Sequence, residues 1–398
     1  MKKLAIGVDI GGINTAFGLV DENGDLYAES VISTKKYPYV DDYPAYVEDL
    51  CDSMRALAQS LSFEYELTGI GIGAPNANYH KGTIETPANL WKFKEGDPNP
   101  DESRRVFPLA DEAPELFEKA LELKALGNEL CTKVGGRSVH PITAVVGGFT
   151  HEITPAEYRE LADKMEAMVE FAVTAVDLFH SFEAPDIQTE GDMLAMGAPD
   201  RYAVSDSRMA RLINAALSFD CDKVNKAVEE YSVDHSAALC ARVRTTGKPY
   251  FTGALARINQ SWQFLGREAK LAAAKVGLRP PERNPFNNNV AQAVEIVDAL
   301  ERCAQLCRRL ADDEFEGLSV PEKFEVKAGF GVGFTEAPRG ALFHQLELDE
   351  AGRVRRASII TPTAQNVANL EADMRILAEK LVADGASSEE VQLEIEKL

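Results

Sequence analysis

At 398 residues the chain is long enough for two or three domains with a sizeable core, and 45% hydrophobic with 27% charged residues excludes a disordered polymer. A net charge of -22 argues against nucleic acid and anionic membrane surfaces as partners, because phosphate attracts Lys/Arg clusters and is repelled by a field of this sign. No apolar run approaches the ~20 residues of a membrane span, and the start Met-Lys-Lys-Leu-Ala-Ile-Gly lacks the apolar core of a signal peptide. With no such segments, and with Cys51, Cys131, Cys221, Cys240, Cys303 and Cys307 scattered over a long chain, a reducing cytoplasm is the expected compartment; no C-x-x-C occurs.

Leu4 to Ile10 is a mostly apolar run that reads as a buried strand, and Asn14 to Val20 reads as its neighbour. Between them Asp9-Ile10-Gly11-Gly12-Ile13-Asn14-Thr15 makes a two-glycine turn. Taken alone it reads first as a plain reversal; it also lets backbone N–H groups approach a phosphate while the aspartate reaches a phosphate-bound magnesium through water. Glu22-Asn23-Gly24-Asp25 closes a hairpin onto Leu26 to Ser33, Ala45 to Leu61 has helical periodicity, and Thr68 to Gly73 reads as a fourth strand. At Phe107 to Pro114 short β-rich segments give way to long amphipathic helices, with no linker composition between them. Two domains are expected, 1–110 and 111–398, with the crossover between Leu109 and Ala113.

The order strand, Asp-x-Gly-Gly turn, strand, strand, helix, strand, followed by Ile84 to Trp91, resembles the N-terminal lobe of the ROK family of sugar kinases, which have the actin-like ATPase fold. The resemblance runs from about Lys3 to about Leu109. It implies a phosphate-binding role for Asp9, Gly11, Gly12 and Thr15, a sugar-side role for Asn89, and Mg-ATP as the family's cofactor. Ile13 departs from the family's threonine and removes a hydroxyl beside the phosphates. The general-base aspartate, second phosphate loop, sugar-binding histidine motif and zinc-binding cysteines of the family do not follow. Half a phosphate clamp without a base is expected to give negligible turnover, and Gly69 to Gly73 is expected to keep a free strand edge.

Beyond the boundary, Glu115 to Lys133 has helical spacing, Gly135 to Pro141 breaks it, and Thr154-Pro155-Ala156-Glu157 caps a long helix towards Phe182. Ile187 to Val204 reads as irregular and short extended structure, Asp222 to Tyr231 and Gly253 to Val276 as helical, and Asn287 to Leu310 as a further helix. Lys327 to Phe334, Gly340 to Leu348 and Val354 to Ile360 read as strands, and Ala364 to Ala383 and Ser387 to Leu398 as acidic helices. Cys303 and Cys307 lie one helical turn apart; two small core-facing residues is the first reading and a ligand pair the second. His140 and Arg137 taken singly read as structural residues.

Gly-Gly-Arg-x-x-His-Pro at 135–141, Gly147-Gly148, Gly253 to Asn259, Glu336-Ala337-Pro338-Arg339-Gly340 and Thr361 to Asn366 come in one order at consistent separations. Together they resemble the large subunit of a nickel-iron hydrogenase of the cytoplasmic, cofactor-reducing type, over about Ala113 to Leu398. The resemblance implies that Arg339 stands over the metal site as its catalytic guanidinium, that Pro362 and Thr363 line the pocket of a diatomic ligand, and that His140 belongs to the same pocket. It also implies, as partner, an iron-sulfur small subunit, together with a Ni-Fe centre held by thiolates from two C-x-x-C motifs. This sequence contains neither motif, and soft thiolates are what anchor nickel and iron, so no metal ligand is assigned.

The expected fold is an α/β N-terminal segment, an incomplete actin-like ATPase or RNase H-like lobe, followed by a mainly α, α+β hydrogenase-like region. The expected function is that of a fusion of two incomplete enzyme fragments, catalytically inactive and binding no cofactor. The alternatives are a working hydrogenase, an ATP-dependent glucose kinase, and a protein that still binds an iron-sulfur small subunit.

Overall fold

The computed structural model describes residues 2–74, 77–78, 83–84, 113–312 and 325–398. Asn89 and most of the stretch Phe107 to Pro114 lie outside them. The chain divides into two compact units, Met1–Glu112 and Ala113–Leu398.

In the first unit β1 (Lys2–Ile10), β2 (Asn14–Val20) and β3 (Leu26–Ser33) form an antiparallel meander, and β4 (Tyr65–Gly73) lies parallel beside β1, giving the order β3-β2-β1-β4. Alternation decides which face is buried: Leu4, Ile6, Val8 and Ile10 point with Phe17 and Leu19 into one core. Tyr46, Leu50, Met54 and Leu57 of helix α1 (Tyr43–Gln59) close it, at the three- and four-residue spacing that makes one helical stripe. Asn23-Gly24 makes the β2–β3 turn with Gly24 at φ 85°, a conformation glycine adopts without strain, and the Asp21 carboxylate accepts from the backbone N–H groups of Asn23 (2.9 Å) and Asp25 (3.1 Å). Among the described residues β4 pairs with β1 alone, and Ile70 and Ile72 are 52% and 57% exposed.

The second unit begins with α2 (Pro114–Gly135) and α3 (Pro155–Ser181). Thr154 and Glu157 form the expected capping box at the start of α3. Leu161, Met165, Ala172 and Val176 of α3 pack on Val290, Val294, Val297 and Ala304 of α6 (Asn287–Ala311), with α4 (Ala254–Ser261) and α5 (Arg267–Lys275) completing that core. A second core lies among sheets. β5 (Asp192–Gly197), β6 (Met209–Leu212) and β7 (Leu217–Asp220) are antiparallel neighbours, β10 (Tyr250–Phe251) pairs parallel with β5, and β8 (Val228–Val233) pairs with β9 (Ser236–Val243). β11 (Gly329–Ala337), β12 (Gly340–Leu348) and β13 (Val354–Ile360) form an antiparallel sheet whose Phe334 and Phe343, cross-strand partners, stack at 4.3 Å. Helices α7 (Pro362–Ala383) and α8 (Ser388–Ile395) end the chain.

Two expectations are corrected. The region after the boundary is mixed α/β and not mainly α, because Ile187 to Val204 holds β5, buried on both faces, at the centre of a four-stranded sheet. The helix expected over Asp222 to Tyr231 is a 3-10 turn (Cys221–Lys223) and one helical turn (Val224–Ala227), followed by strand β8. Pairing with β9, including Arg242 Nε to Glu229 at 2.7 Å, overrides the local helical spacing.

Candidate functional site

Three of the sequence motifs meet at the β11–β12 hairpin. Pro338 and Arg339 form its turn, and Gly340 follows at φ 129° with no room for a side chain: a Cβ would lie 2.3 Å from Thr252 Cγ2. Thr252 lies just before α4, and its buried hydroxyl accepts from Ala341 N at 2.8 Å. Asn366, in the first turn of α7, donates to Arg339 O at 3.3 Å and accepts from Thr252 N at 2.8 Å. Gln365, wholly buried, donates to Ala341 O (2.6 Å) and Thr361 O (3.0 Å). The starts of α4 and α7 and the hairpin turn are thereby locked together.

Arg339 itself is exposed, and among the described residues no hydrogen bond or ion pair engages its guanidinium. Thr361 caps α7 by accepting from Ala364 N at 3.3 Å, Pro362 opens the helix half-buried, and Thr363 is exposed. The site presents a free guanidinium and a helix start on one rigid platform.

Behind the turn lies a charge cluster that sequence reasoning did not identify. Arg257 of α4 is 4% exposed, donates to Ala337 O and Pro338 O at 3.0 Å each, and pairs with Glu295 of α6 (2.6 Å) and Glu336 of β11 (3.0 Å). Tyr202 donates to Glu295 at 2.6 Å, and Met196 N donates to the other oxygen of Glu336 at 2.6 Å. Burial pushes the Glu336 carboxyl up to about 7 against the opposing pull of Arg257. Burial alone would lower the Arg257 guanidinium, but the carboxylates of Glu295 and Glu336 hold it above its ordinary value. The available signal was an arginine inside the apolar run Ala254-Leu255-Ala256-Arg257-Ile258; nothing local names its partners.

Gly135-Gly136 and His140-Pro141 have a structural explanation. Gly136, at φ 79°, ends α2 by donating to Thr132 O at 2.9 Å, and a Cβ on Gly135 would lie 2.8 Å from Pro141 Cβ. His140 is exposed at φ 54°, and no hydrogen bond or ion pair among the described residues joins it to the Arg339 turn.

In the first unit Asp9 is exposed, Gly11 and Gly12 are half-buried, and Gly11 N donates to Asn14 O at 3.0 Å. Thr15 is wholly buried; its hydroxyl bonds Thr34 Oγ1 (2.9 Å) and the Tyr46 hydroxyl (2.7 Å). The hydroxyl expected beside a phosphate is thus engaged by two partners inside the lobe.

The residues of this sequence do not fit a Ni-Fe centre. None of the motifs around Arg339 contains a cysteine, and Cys221 and Cys307 are buried within the two cores, with Cys303 packed against the first. Asp220, Cys221 and Asp222 cluster, but Arg208 pairs with both carboxylates (3.0 and 2.5 Å) and Cys221 faces the second core.

No family model matches the chain. It is 32% identical over 278 residues to the alpha subunit of sulfhydrogenase 1 from Pyrococcus furiosus, a match covering 68% of this chain and 62% of that one. It is 29% identical over 301 residues to a vhu hydrogenase subunit from Methanococcus voltae, covering 71% and 70%. Among solved structures, an NAD+-reducing nickel-iron hydrogenase in the H2-reduced state matches with TM-score 0.61 at 18% identity, over 97% of this chain and 94% of that one. The fold is that of a nickel-iron hydrogenase large subunit, mixed α/β. Over about 70% of its length the chain is homologous to hydrogenase large subunits, and it spans 62% of the length of the Pyrococcus relative.

Proposed function

We propose that residues 113–398 are a hydrogenase large-subunit-like scaffold that keeps the platform around Arg339 and, with the side chains of this sequence, assembles no Ni-Fe centre and turns over no H2. The observation that carries this reading is a site whose surroundings are fully built and whose thiolates are missing: Arg257, Thr252 and Asn366 fix the turn, while C-x-x-C is nowhere in the sequence. Homology over about 70% of the chain supports the parentage, and that share is close to the one Ala113–Leu398 makes up. Nickel and iron analysis of the chain after reconstitution tests it: background metal is expected, and one nickel per chain would refute the proposal.

Residues 1–110 we read as an RNase H-like lobe of kinase type joined to the scaffold as a fusion, a reading that competes with the fold match to the NAD+-reducing hydrogenase, which extends over 97% of the chain. The support is topological: the order β3-β2-β1-β4, with β4 parallel to β1 and a helix between β3 and β4. Phosphate contact there rests on Asp9, Gly11 and Gly12. No ATP-dependent phosphorylation of glucose is expected above background, and turnover would reinstate the kinase.

The scaffold's partner is an iron-sulfur small subunit in a reducing cytoplasm. Val139, Ile142, Val145, Val146 and Phe149 stand 40–64% exposed in one short stretch, an apolar surface such a partner would cover. The relatives are named as subunits, the cysteines are all free, and among the described residues no helix is long and apolar enough to cross a membrane. Co-expression with a hydrogenase small subunit should give one co-eluting complex, and separate elution would remove this partner.

A further inference from the structure

We propose that Glu336, Arg257 and Glu295 form a proton-operated latch that holds the Arg339 turn, closed when the cluster carries a proton and loosened when it loses it. The proposal rests on the reading of Arg339 as the site's guanidinium.

The geometry sets the stoichiometry. Two carboxylates face one guanidinium in a pocket where the Glu336 and Arg257 side chains are 1% and 5% exposed. One carboxylate is neutralised by Arg257; the second is a surplus charge in a medium that solvates it poorly, so the closed cluster is at its lowest free energy with one proton bound. Among the described residues the titratable groups around Glu336 are few: Arg257 from α4, Glu295 from α6, and Tyr202, whose ring lies under the Arg302 guanidinium at 5.2 Å. Asp298 is the next acid, paired with Arg302 at 2.5 Å. Backbone donors offset only part of the cost, through Met196 N at 2.6 Å.

The cluster is also mechanically connected to the turn. Arg257 holds the carbonyls of Ala337 and Pro338, the two residues before Arg339, and Glu336 N donates to Val204 O at 2.6 Å. Opening that exposes Glu336 to water returns its carboxyl to the ordinary value of 4.5, against about 7 when closed. The sign follows from linkage. The closed form binds the proton more tightly, so closure is favoured below 4.5 and is progressively lost as pH rises through 7, by on the order of a hundredfold in the opening equilibrium.

The test is amide hydrogen exchange of the full chain between pH 4.5 and 8, following peptides that span 336–341 and correcting for intrinsic exchange with peptides from β1 and β2. The opening equilibrium at 336–341 should rise about a hundredfold to pH 7 and level off. Glu336→Gln, which keeps the shape and cannot ionise, should flatten it. Tyr202→Phe, which removes the hydroxyl donated to Glu295, should move the midpoint to higher pH with the fold intact. A flat profile in the unsubstituted chain, an unchanged profile in Glu336→Gln, or an unmoved midpoint in Tyr202→Phe would each overturn the latch. Metal analysis and co-elution judge the hydrogenase reading separately, so the two failures are distinguishable.

Discussion

The two glycine-marked turns of this protein are built on opposite principles. The turn at Arg339 is held by Arg257, Thr252 and Asn366, from elements distant in sequence, and Gly340 is required because Thr252 fills the space a side chain would take. The turn at Gly11-Gly12 is held locally, by Gly11 N to Asn14 O, and the nearby threonine hydroxyl serves the lobe's interior. Only the first is rigidified by side chains from elements distant in sequence. A motif locates a turn; the second layer of contacts shows whether the fold is committed to holding it.

The difference can be broken first at Arg257. Arg257→Met leaves the buried Glu336 carboxylate and the half-buried Glu295 carboxylate without their cation and should cost the second unit about 3–5 kcal/mol, read by denaturant unfolding. Gly340→Ala should cost roughly 2–4 kcal/mol, from the clash with Thr252 and the strained φ, whereas Gly11→Ala, which meets one backbone oxygen at 2.9 Å, should cost about 1–2 kcal/mol. Acid sharpens the contrast. Glu336 and Asp373 have folded values raised to about 7 and about 6 by burial, so each contributes stability that is present below its ordinary value and is lost as pH rises through its folded value, on the order of 3 kcal/mol for each group, followed as Tm of the second unit between pH 5 and 8. Thr15→Val should destabilise the first unit by about 1–3 kcal/mol by removing the buried hydroxyl that bonds Thr34 and Tyr46; a loss of nucleotide affinity with unchanged stability would support a phosphate role instead. The smallest effect is expected at Ile72→Thr on β4, within about 0.5 kcal/mol, because that side chain is already 57% exposed.

Much of the fold was legible where local signals agree with tertiary ones. Leu4 to Ile10 alternates and is buried in alternation, and Thr154-Pro155-Ala156-Glu157 announces a cap that the structure contains. The failure at Val224, Ala227, Val228 and Tyr231 is instructive: their i, i+3, i+4, i+7 spacing is that of a helix, but β9 offers Val228 to Val233 a ladder, and tertiary pairing wins. The Arg339 turn could be located from its motif, and the start of α7 from Thr361-Pro362. Its clamp could not, since Glu295 sits on an amphipathic helix like any other acid and becomes a partner only when α4 and α6 are packed.

The hairpin clamp also fixes an order of events. The bonds that hold the Arg339 turn reach back about 80 residues to Arg257 and 89 to Thr252, and forward 27 to Asn366. Such long-range closures come late in folding, after the entropy of the intervening chain has been surrendered. During synthesis the hairpin can form as soon as β12 emerges, but it cannot be locked until the first turn of α7 has left the ribosome. The platform around Arg339 therefore becomes rigid only after α7 has begun to form.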